Sequence, residues 1–338
     1  MANKIGQRKT EHLKLALEAL ITPESLDGRF NYEPLLSAHP QNVDLSLKFV
    51  GKNLRAPLWV SSMTGGNKDA ELINKRLATV ANEFGLGMGL GSCRALLENK
   101  KCFSSFNLRP LLGKELPLYA NLGLAQIEKL LKAKAQDKVE EMLDMIEADG
   151  LMIHINPLQE WLQPEGDRFE RPALETLEEF LAKSKVNVIV KEVGQGFGPK
   201  SLNALLRMPI KAIEFAAFGG TNFSKLEILR SKEKTNFYNP LAYVGHHAQG
   251  MVDTLGQEME KLGKKARTRE FIISGGVNHF LDGHCLMLKM KPYSKACVYG
   301  QAGEMLRHAQ VSEKELRHYV KAQLEGLKVA RAFLELRE

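Results

Sequence analysis

The densest group of potentially reactive side chains ends at Glu160. His154 and Asn156 are two residues apart at the end of an apolar run, so both side chains can point to the same side of an extended strand. Gln159 and Glu160 follow a turn at the next proline. A carboxylate beside neutral hydrogen-bonding groups suits Mg²⁺, which takes one or two protein carboxylates together with water and phosphate oxygens. The spacing alone also allows a structural role, in which His154 and Asn156 bond loop backbone and Glu160 caps a helix.

Four cations could meet an anionic ligand. Arg8, Lys9 and Arg94 are candidate diphosphate ligands, because a guanidinium group can grip phosphate oxygens with two N–H groups. Lys191 ends a run of β-branched residues that must be buried, and a buried lysine needs an anionic or polar partner. The alternatives are a solvated N-terminal charge cluster for Arg8 and Lys9, and a side chain that extends to solvent for Lys191.

Glycines at three later positions could hold a phosphate group. Gly275 and Gly276 follow one apolar run and Gly300 follows the next. Glycine lets backbone N–H groups approach a phosphate closely, although each position could also be an ordinary turn. Hydroxyl, amide, cationic and backbone groups elsewhere could bind a heteroaromatic ring with a polyol tail. They lie at Met63, Thr64, Gly65, Gly66, Ser92, Asn121, Lys191 and Thr221.

Eight short apolar runs could supply the strands that position these groups. The runs lie at 57–60, 85–90, 116–120, 150–155, 186–190, 212–216, 271–273 and 296–299. Helical spacing fills most of the intervals, and examples are 70–84, 127–148, 174–185 and a closing helix at 312–338. Strands that alternate with helices indicate a parallel sheet. Eight such units predict an α/β fold, the (β/α)8 TIM barrel.

We expect residues 1–338 to form a single TIM-barrel domain. Residues 1–55 would be an N-terminal extension that closes over the active site, and 56–338 the barrel, with an insertion after strand 6 in the polar segment 231–268. Active sites of this fold form at the carboxyl ends of the strands, and polar or glycine residues follow all eight runs. The sequence therefore predicts a large polar ligand at the mouth of the barrel.

Composition excludes several classes of protein. Apolar residues make up 44% and charged residues 26% of the chain, which is a globular balance rather than a disordered, fibrous or membrane one. The net charge of +7 is spread along the chain, which favours a small anionic substrate over nucleic acid. The four cysteines show neither CxxC spacing nor the density of a secreted protein. No apolar run resembles a signal peptide or membrane span. We expect a cytoplasmic protein.

The chain resembles the type 2 isopentenyl-diphosphate isomerases along nearly its whole length. The most specific segments are the run HINPLQE at 154–160 and the run QPEGD that follows at 163–167. The other matching runs are 8–12, 62–66, 87–94, 120–123, 148–151, 190–194 and 219–221. This resemblance implies a homo-oligomer, a tetramer or octamer, that interconverts isopentenyl and dimethylallyl diphosphate. It also implies Mg²⁺ and an FMN that is active when reduced by NAD(P)H.

The resemblance also assigns roles to residues. Those implied to bind FMN are Ser62, Met63, Thr64, Gly65, Ser92, Asn121, Lys191, Thr221, Gly275, Gly276, Gly300 and Gln301. Those implied to face the substrate are Arg8, Lys9, Ser92, Cys93, Arg94, His154, Asn156 and Gln159. Among these, His154, Asn156 and Gln159 would be catalytic, and Glu160 would bind the metal.

The chain departs from the family pattern around the expected flavin phosphate. Phe218 stands where a small residue is usual, and Val277 and Asn278 follow the glycine pair where the family has an arginine. Cys93 replaces a common glutamine. These changes motivate a first alternative, a catalytically altered paralogue that binds an isoprenoid diphosphate without FMN. A second alternative is an FMN-dependent 2-hydroxy-acid oxidoreductase, although His279 lacks the flanking arginines of that class.

Overall fold

The computed structural model describes residues 2–62, 65–66, 68–98, 100–231 and 237–337. It contains two compact units. One comprises the described residues up to Ala38 and those from Phe333 onward, and the other is His39–Ala332. Residues 39–55, which the sequence assigned to the N-terminal extension, thus belong to the larger unit. Closure of this extension over the active site stays a prediction.

The described strands are short and most are buried. They are β1 (Phe30–Tyr32), β2 (Leu47–Phe49), β3 (Lys52–Leu54), β4 (Leu58–Val60), β5 (Gly87–Gly89), β6 (Leu118–Gly123), β7 (Gly150–His154), β8 (Val188–Lys191), β9 (Ala212–Glu214), β10 (Glu270–Ser274), β11 (Ala296–Gln301) and β12 (Leu334–Leu336). Strands β4 to β11 form a closed parallel barrel in the order β10-β11-β4-β5-β6-β7-β8-β9. The predicted (β/α)8 barrel is therefore confirmed.

Helices connect the barrel strands. The described α-helices are α1 (Ala2–Leu15), α2 (Lys68–Phe84), α3 (Arg94–Glu98), α4 (Arg109–Leu112), α5 (Leu124–Lys132), α6 (Asp137–Met145), α7 (Pro157–Leu162), α8 (Ala173–Lys183), α9 (Pro199–Arg207), α10 (Phe223–Arg230), α11 (Ala248–Leu262), α12 (Phe280–Met290), α13 (Gly303–Val311) and α14 (Glu313–Phe333). The interval between β9 and β10 carries both α10 and α11, which agrees with the predicted insertion. The single helix predicted at 127–148 is two helices, because Lys134 between them has a left-handed φ of 50°. None of the described helices has the length and hydropathy of a membrane span.

Large side chains fill the interior of the barrel. Trp59 and Tyr119 are fully buried, and their ring centroids are 6.2 Å apart in an edge-to-face arrangement. Gly87 on β5 leaves the room that the Trp59 indole occupies, since any side chain at position 87 would overlap it. Layers of side chains of this kind are typical of the fold. Space for a ligand therefore lies beyond this layer, at the carboxyl ends of the strands.

The smaller unit is built on one antiparallel pair. Phe30 of β1 lies opposite Leu336 of β12, and Tyr32 lies opposite Leu334. The Tyr32 and Phe333 rings are 6.5 Å apart, edge to face. Helix α1 belongs to this unit and presents Leu13 at 80% exposure. Segments near the two ends of the chain therefore form one structure.

Candidate active site

The larger cavity at the mouth of the barrel has a volume of about 300 Å³, at the lower end of the range of small-molecule sites. Loops after strands β4, β8, β9, β10 and β11 form its wall. Predicted FMN ligands in this wall are Ser62, Lys191, Thr221, Gly275, Gly276, Gly300 and Gln301. The structure thus brings together seven of the twelve residues that the resemblance assigned to flavin.

Glycine is required where β10 ends in this wall. Gly275 has a φ of 86° and Gly276 a φ of 69°, both left-handed. A Cβ on Gly275 would overlap the backbone of Ala217, so the chain segments after β9 and β10 touch directly. Ala216 in the same wall has a φ of 41°, a strained value for a residue with a side chain. Backbone atoms therefore form the cavity surface here, which is the kind of surface that approaches a phosphate or a ring closely.

Two buried polar groups in this wall have atoms without a hydrogen-bond partner. They are Ser61 Oγ and Glu214 Oε2, in residues that are 7% and 1% exposed. The other Glu214 oxygen accepts a bond of 3.0 Å from Ser274 Oγ. An unpaired buried polar atom costs free energy, about 1–3 kcal/mol. A ligand with hydroxyl, amide or ring N–H groups would satisfy these atoms, so the residues present fit a flavin with a polyol tail.

Lys191 lies between this cavity and a smaller one. Its side chain is 5% exposed, so it does not extend to solvent, and its Nζ donates to the Glu192 carbonyl oxygen over 2.7 Å. Glu192 in turn accepts N–H groups of Gly194, Gln195 and Gly196. Burial raises the pKa of the Glu192 carboxyl, and these backbone bonds and Lys191 oppose that rise. The result is a buried cation held at the border of the two cavities.

The smaller cavity has a volume of about 110 Å³ and is lined by Ser92, Asn121, His154 and Gln159, among others. His154 Nδ1 lies 2.7 Å from Asn121 Oδ1, and Asn121 Nδ2 donates to the Leu90 carbonyl over 3.0 Å. The Asn121 oxygen must therefore accept, so His154 carries its proton on Nδ1 and offers Nε2 as an acceptor. Burial, with a further contribution from the Lys191 cation, lowers the pKa of His154 to about 3. His154 is a neutral imidazole at physiological pH.

A chain of side-chain hydrogen bonds holds the predicted catalytic amide. Asn156 Nδ2 donates to Gln159 Oε1 and to Glu160 Oε1, each over 3.0 Å. Gln159 Nε2 donates to Glu227 Oε1 over 3.3 Å. Glu227 is 2% exposed, and its other oxygen accepts Arg230 Nη1. The amide of Gln159 therefore has a defined orientation.

Sequence reasoning missed Glu227. Its signal was a carboxylate between two apolar residues in the helix that follows the Gly219–Thr221 loop. A charge on the buried side of a helix needs a partner in the protein, and here Gln159 and Arg230 are its partners.

Glu160, the predicted metal ligand, is buried and lines neither of the two cavities. It is 7% exposed, and its Oε2 accepts the Asp167 backbone N–H over 2.7 Å. Nearby Asn156 Oδ1 is buried without a partner. Within the described residues, no cluster of three or more His, Cys, Asp or Glu side chains could hold a metal. One carboxylate beside an unpaired amide oxygen fits Mg²⁺ that is completed by diphosphate and water, and does not fit an all-protein metal cage.

The predicted diphosphate cations are placed differently from one another. Arg94 is bonded to Glu98 through Nε and to Asp167 through Nη1, over 3.0 and 3.2 Å. Its guanidinium group is thus held beside the 154–167 segment. Arg8 and Lys9 are exposed on α1 of the smaller unit, and their role stays a prediction.

Other predicted residues are accounted for as follows. Met63 and Thr64 lie outside the described residues. Gly65 packs against Phe106, whose ring atom Cε1 would be 2.7 Å from a Cβ at position 65. Cys93 is fully buried, donates to the Gly91 carbonyl and lines neither cavity, and burial raises the pKa of its thiol to about 12. The structure does not place this thiol at the site.

Gln301 fixes a loop with its side chain. Its Nε2 donates to the carbonyl oxygens of Val277 and Asn278, over 3.1 and 3.2 Å. Its Oε1 accepts Tyr319 Oη over 2.9 Å. Since the described protein uses both ends of the amide, Gln301 positions the loop after β10.

Phe218 and Arg307 differ in their position relative to the larger cavity. The ring of Phe218 lies towards Gly245, where a Cβ would be 3.1 Å from Phe218 Cδ2, and Phe218 is outside the cavity wall. Phe218, one of the departures from the family pattern, therefore does not line this cavity. Arg307 on α13, which sequence reasoning did not consider, does lie in the wall.

Proteins of known identity match nearly the whole chain. An isopentenyl-diphosphate delta-isomerase from a Synechococcus species is 34% identical over 335 residues, which cover 97% of this chain and 92% of the relative. One from Rickettsia akari is 32% identical and covers 95% of this chain and 91% of the relative. The chain belongs to the isopentenyl-diphosphate delta-isomerase family. No protein-family model matches it.

Solved structures confirm the fold independently of the family. A flavocytochrome b2 double mutant with bound pyruvate aligns with a TM-score of 0.60 at 13% identity, covering 90% of this chain and 71% of that one. A mandelate oxidase mutant with a monooxide FMN adduct aligns with a TM-score of 0.56 at 13% identity, covering 92% and 89%. At this identity the likeness concerns the barrel alone. The family assignment therefore rests on the sequence relatives.

Proposed function

We propose that this member of the isopentenyl-diphosphate delta-isomerase family interconverts isopentenyl and dimethylallyl diphosphate with reduced FMN and Mg²⁺. The observation that carries the proposal is full-length similarity to proteins of that name. The described site supports it, because His154 and Gln159 line the smaller cavity, which shares Lys191 with the glycine-walled larger cavity. We also propose NAD(P)H as the reductant and a cytoplasmic homo-oligomer as the working form.

The larger cavity would hold FMN. Lys191, Thr221, Gly275 and Gly276 would bind it, and Ser61 Oγ and Glu214 Oε2 would gain the partners that they lack. Reduced flavin, when bound, supplies an electron-rich ring and an exchangeable proton next to a developing positive charge. Val193 and Phe223 line both cavities and would help to exclude water from the alkene.

The residues of the chain would bind and orient the substrate. Glu160 would hold Mg²⁺ on the diphosphate, and Arg94 would add a cation, so that anchoring energy comes from atoms remote from the reacting carbons. Gln159 would face the alkene with its amide fixed by Asn156 and Glu227. His154 would accept a hydrogen bond at Nε2 and remain uncharged, which avoids repulsion of a cationic transition state.

The test is conversion of isopentenyl diphosphate by the purified protein under anaerobic conditions. We expect dimethylallyl diphosphate to form when FMN, Mg²⁺ and a reductant are all present, and not when FMN stays oxidised. The absence of turnover under reduced conditions would refute the proposal. A colourless protein that FMN cannot reconstitute would instead favour the paralogue that binds a diphosphate without flavin.

A further inference from the structure

Helix α13 begins in the wall of the larger cavity. Gly303, Glu304 and Arg307 of this helix line the cavity together with Gly275, Gly276 and Asn278 from the loop after β10. Arg307 is thus on the same wall as the position where the family arginine is absent. It follows β11 rather than β10, so it reaches the cavity from a different element.

The start of α13 is open, whereas the start of α12 is closed. Ala302 supplies no side-chain cap to α13. At α12, His279 and Asp282 form a reciprocal capping box, and Asp282 Oδ2 accepts the backbone N–H groups of Asn278 and His279 over 2.9 and 3.3 Å. The N–H groups at a helix start attract anions. At α12 a phosphate would compete with Asp282 for these groups, whereas at α13 the carboxylate of the first turn, Glu304, is paired with Arg307.

Two other observations indicate that this cavity binds a polar ligand. Ser61 Oγ and Glu214 Oε2 are buried in its wall without partners. Both residues are more than nine-tenths buried, so solvent does not satisfy them. The uncapped start of α13 therefore lines a cavity whose wall also contains two buried polar atoms without hydrogen-bond partners.

Glu304 competes for the Arg307 cation. Arg307 Nη2 lies 2.9 Å from Glu304 Oε1, one helical turn apart, and the Arg307 side chain is 72% exposed. An exposed pair of this kind contributes little to stability, so the arginine can change partner at small cost. A phosphate dianion carries more negative charge than one carboxylate and can likewise accept two guanidinium N–H groups.

We propose that Arg307 binds the terminal phosphate of FMN at the start of α13, in place of the cation missing after Gly276, and that Glu304 is an internal competitor for this arginine. The proposal rests on FMN being the cofactor, as proposed above. It places the phosphate at the start of α13, which follows β11, and not at the start of α12. It also predicts opposite effects for two residues that form one ion pair.

The experiment compares FMN with riboflavin, which lacks the phosphate. Each flavin is titrated with full-length protein freed of flavin, and quenching of flavin fluorescence gives the Kd. The ratio of the riboflavin Kd to the FMN Kd isolates the contribution of the phosphate. We expect Arg307→Ala to lower this ratio about tenfold, the effect of losing one charge-assisted bond, with the riboflavin Kd unchanged. Arg307→Lys should fall between, and Glu304→Gln should raise the ratio.

Lys321→Ala is the matched control, because it removes one exposed cation from α14 outside this cavity. It should leave the ratio unchanged. An unchanged ratio in Arg307→Ala, or an equal loss of FMN and riboflavin binding, would overturn the assignment of Arg307. A lower ratio in Glu304→Gln would overturn the competitor role. A wild-type protein that binds neither flavin would overturn the proposed cofactor, whereas one that binds both equally would overturn this inference alone.

Discussion

Replacing His154 should change how the stability of the protein depends on pH. The folded protein holds this imidazole at a pKa of about 3, through burial and then the Lys191 cation, whereas an unfolded chain has a histidine pKa of about 6.5. As the pH falls below about 6.5, His154 binds a proton in the unfolded chain but stays unprotonated in the folded protein. The free energy of unfolding therefore decreases as the pH is lowered from about 6.5 to about 3.

The size of the effect follows from the difference between the two pKa values. Each pH unit in this window costs about 1.4 kcal/mol, so the loss attributable to His154 reaches about 2 kcal/mol near pH 5. His154→Gln keeps a neutral polar side chain of related size and has no proton to bind. The variant should lose about 2 kcal/mol less than the wild type between about pH 7.5 and pH 5.

Urea unfolding of both proteins at the two pH values measures this difference directly. His318→Gln, which removes an exposed imidazole from α14, is the control for the loss of a histidine elsewhere. If His154→Gln and the wild type lose equal stability on acidification, the imidazole titrates normally in the folded protein and the reasoning is wrong. Histidine NMR would then show a His154 signal that moves near pH 6.5, about its unperturbed value.

Three further perturbations test the site. Glu160→Gln should reduce Mg²⁺-dependent turnover far more than FMN affinity, and equal losses in the two assays would contradict a metal-binding role. Gly275→Ala should destabilise the protein by more than about 2 kcal/mol, because strain at φ 86° adds to overlap with Ala217. Thermal unfolding measures this loss. Gly28→Ala is the control and should change the stability by less than about 1 kcal/mol, because position 28 has open space and no left-handed φ. Glu227→Gln should lower kcat more than tenfold, about the effect of one misplaced catalytic group, because Gln159 loses its charged acceptor. KM should change little. A change in KM alone would assign Glu227 to substrate binding.

Local signals were enough to predict the barrel and the cluster that ends at Glu160. Apolar runs with polar ends mark buried parallel strands whatever their partners are, and His154, Asn156 and Gln159 are close in sequence as well as in space. The need of Lys191 for a polar partner was also predictable, because a lysine that ends a buried run of β-branched residues requires one. These features depend on short sequence separations.

Features that depend on distant segments were not predictable. Arg307 was missed because the cation was expected directly after Gly276, whereas the two meet only once β10 and β11 are neighbours. Glu227 could be recognised as a candidate site residue only when Gln159, 68 residues earlier, was found beside it. The ring of Phe218 lies beside Gly245 and outside the cavity wall, and this placement depends on a loop that is distant in the sequence.

The pairing of β1 with β12 has a consequence for synthesis of the chain. Phe30–Tyr32 is made early, but its described strand partner, Leu334–Leu336, is translated only after every barrel strand. Until β12 has been translated, the segment around β1 has an unpaired strand edge, and such edges can associate with other chains. A polypeptide cut short just after α14 could therefore complete the barrel strands and still leave this edge open.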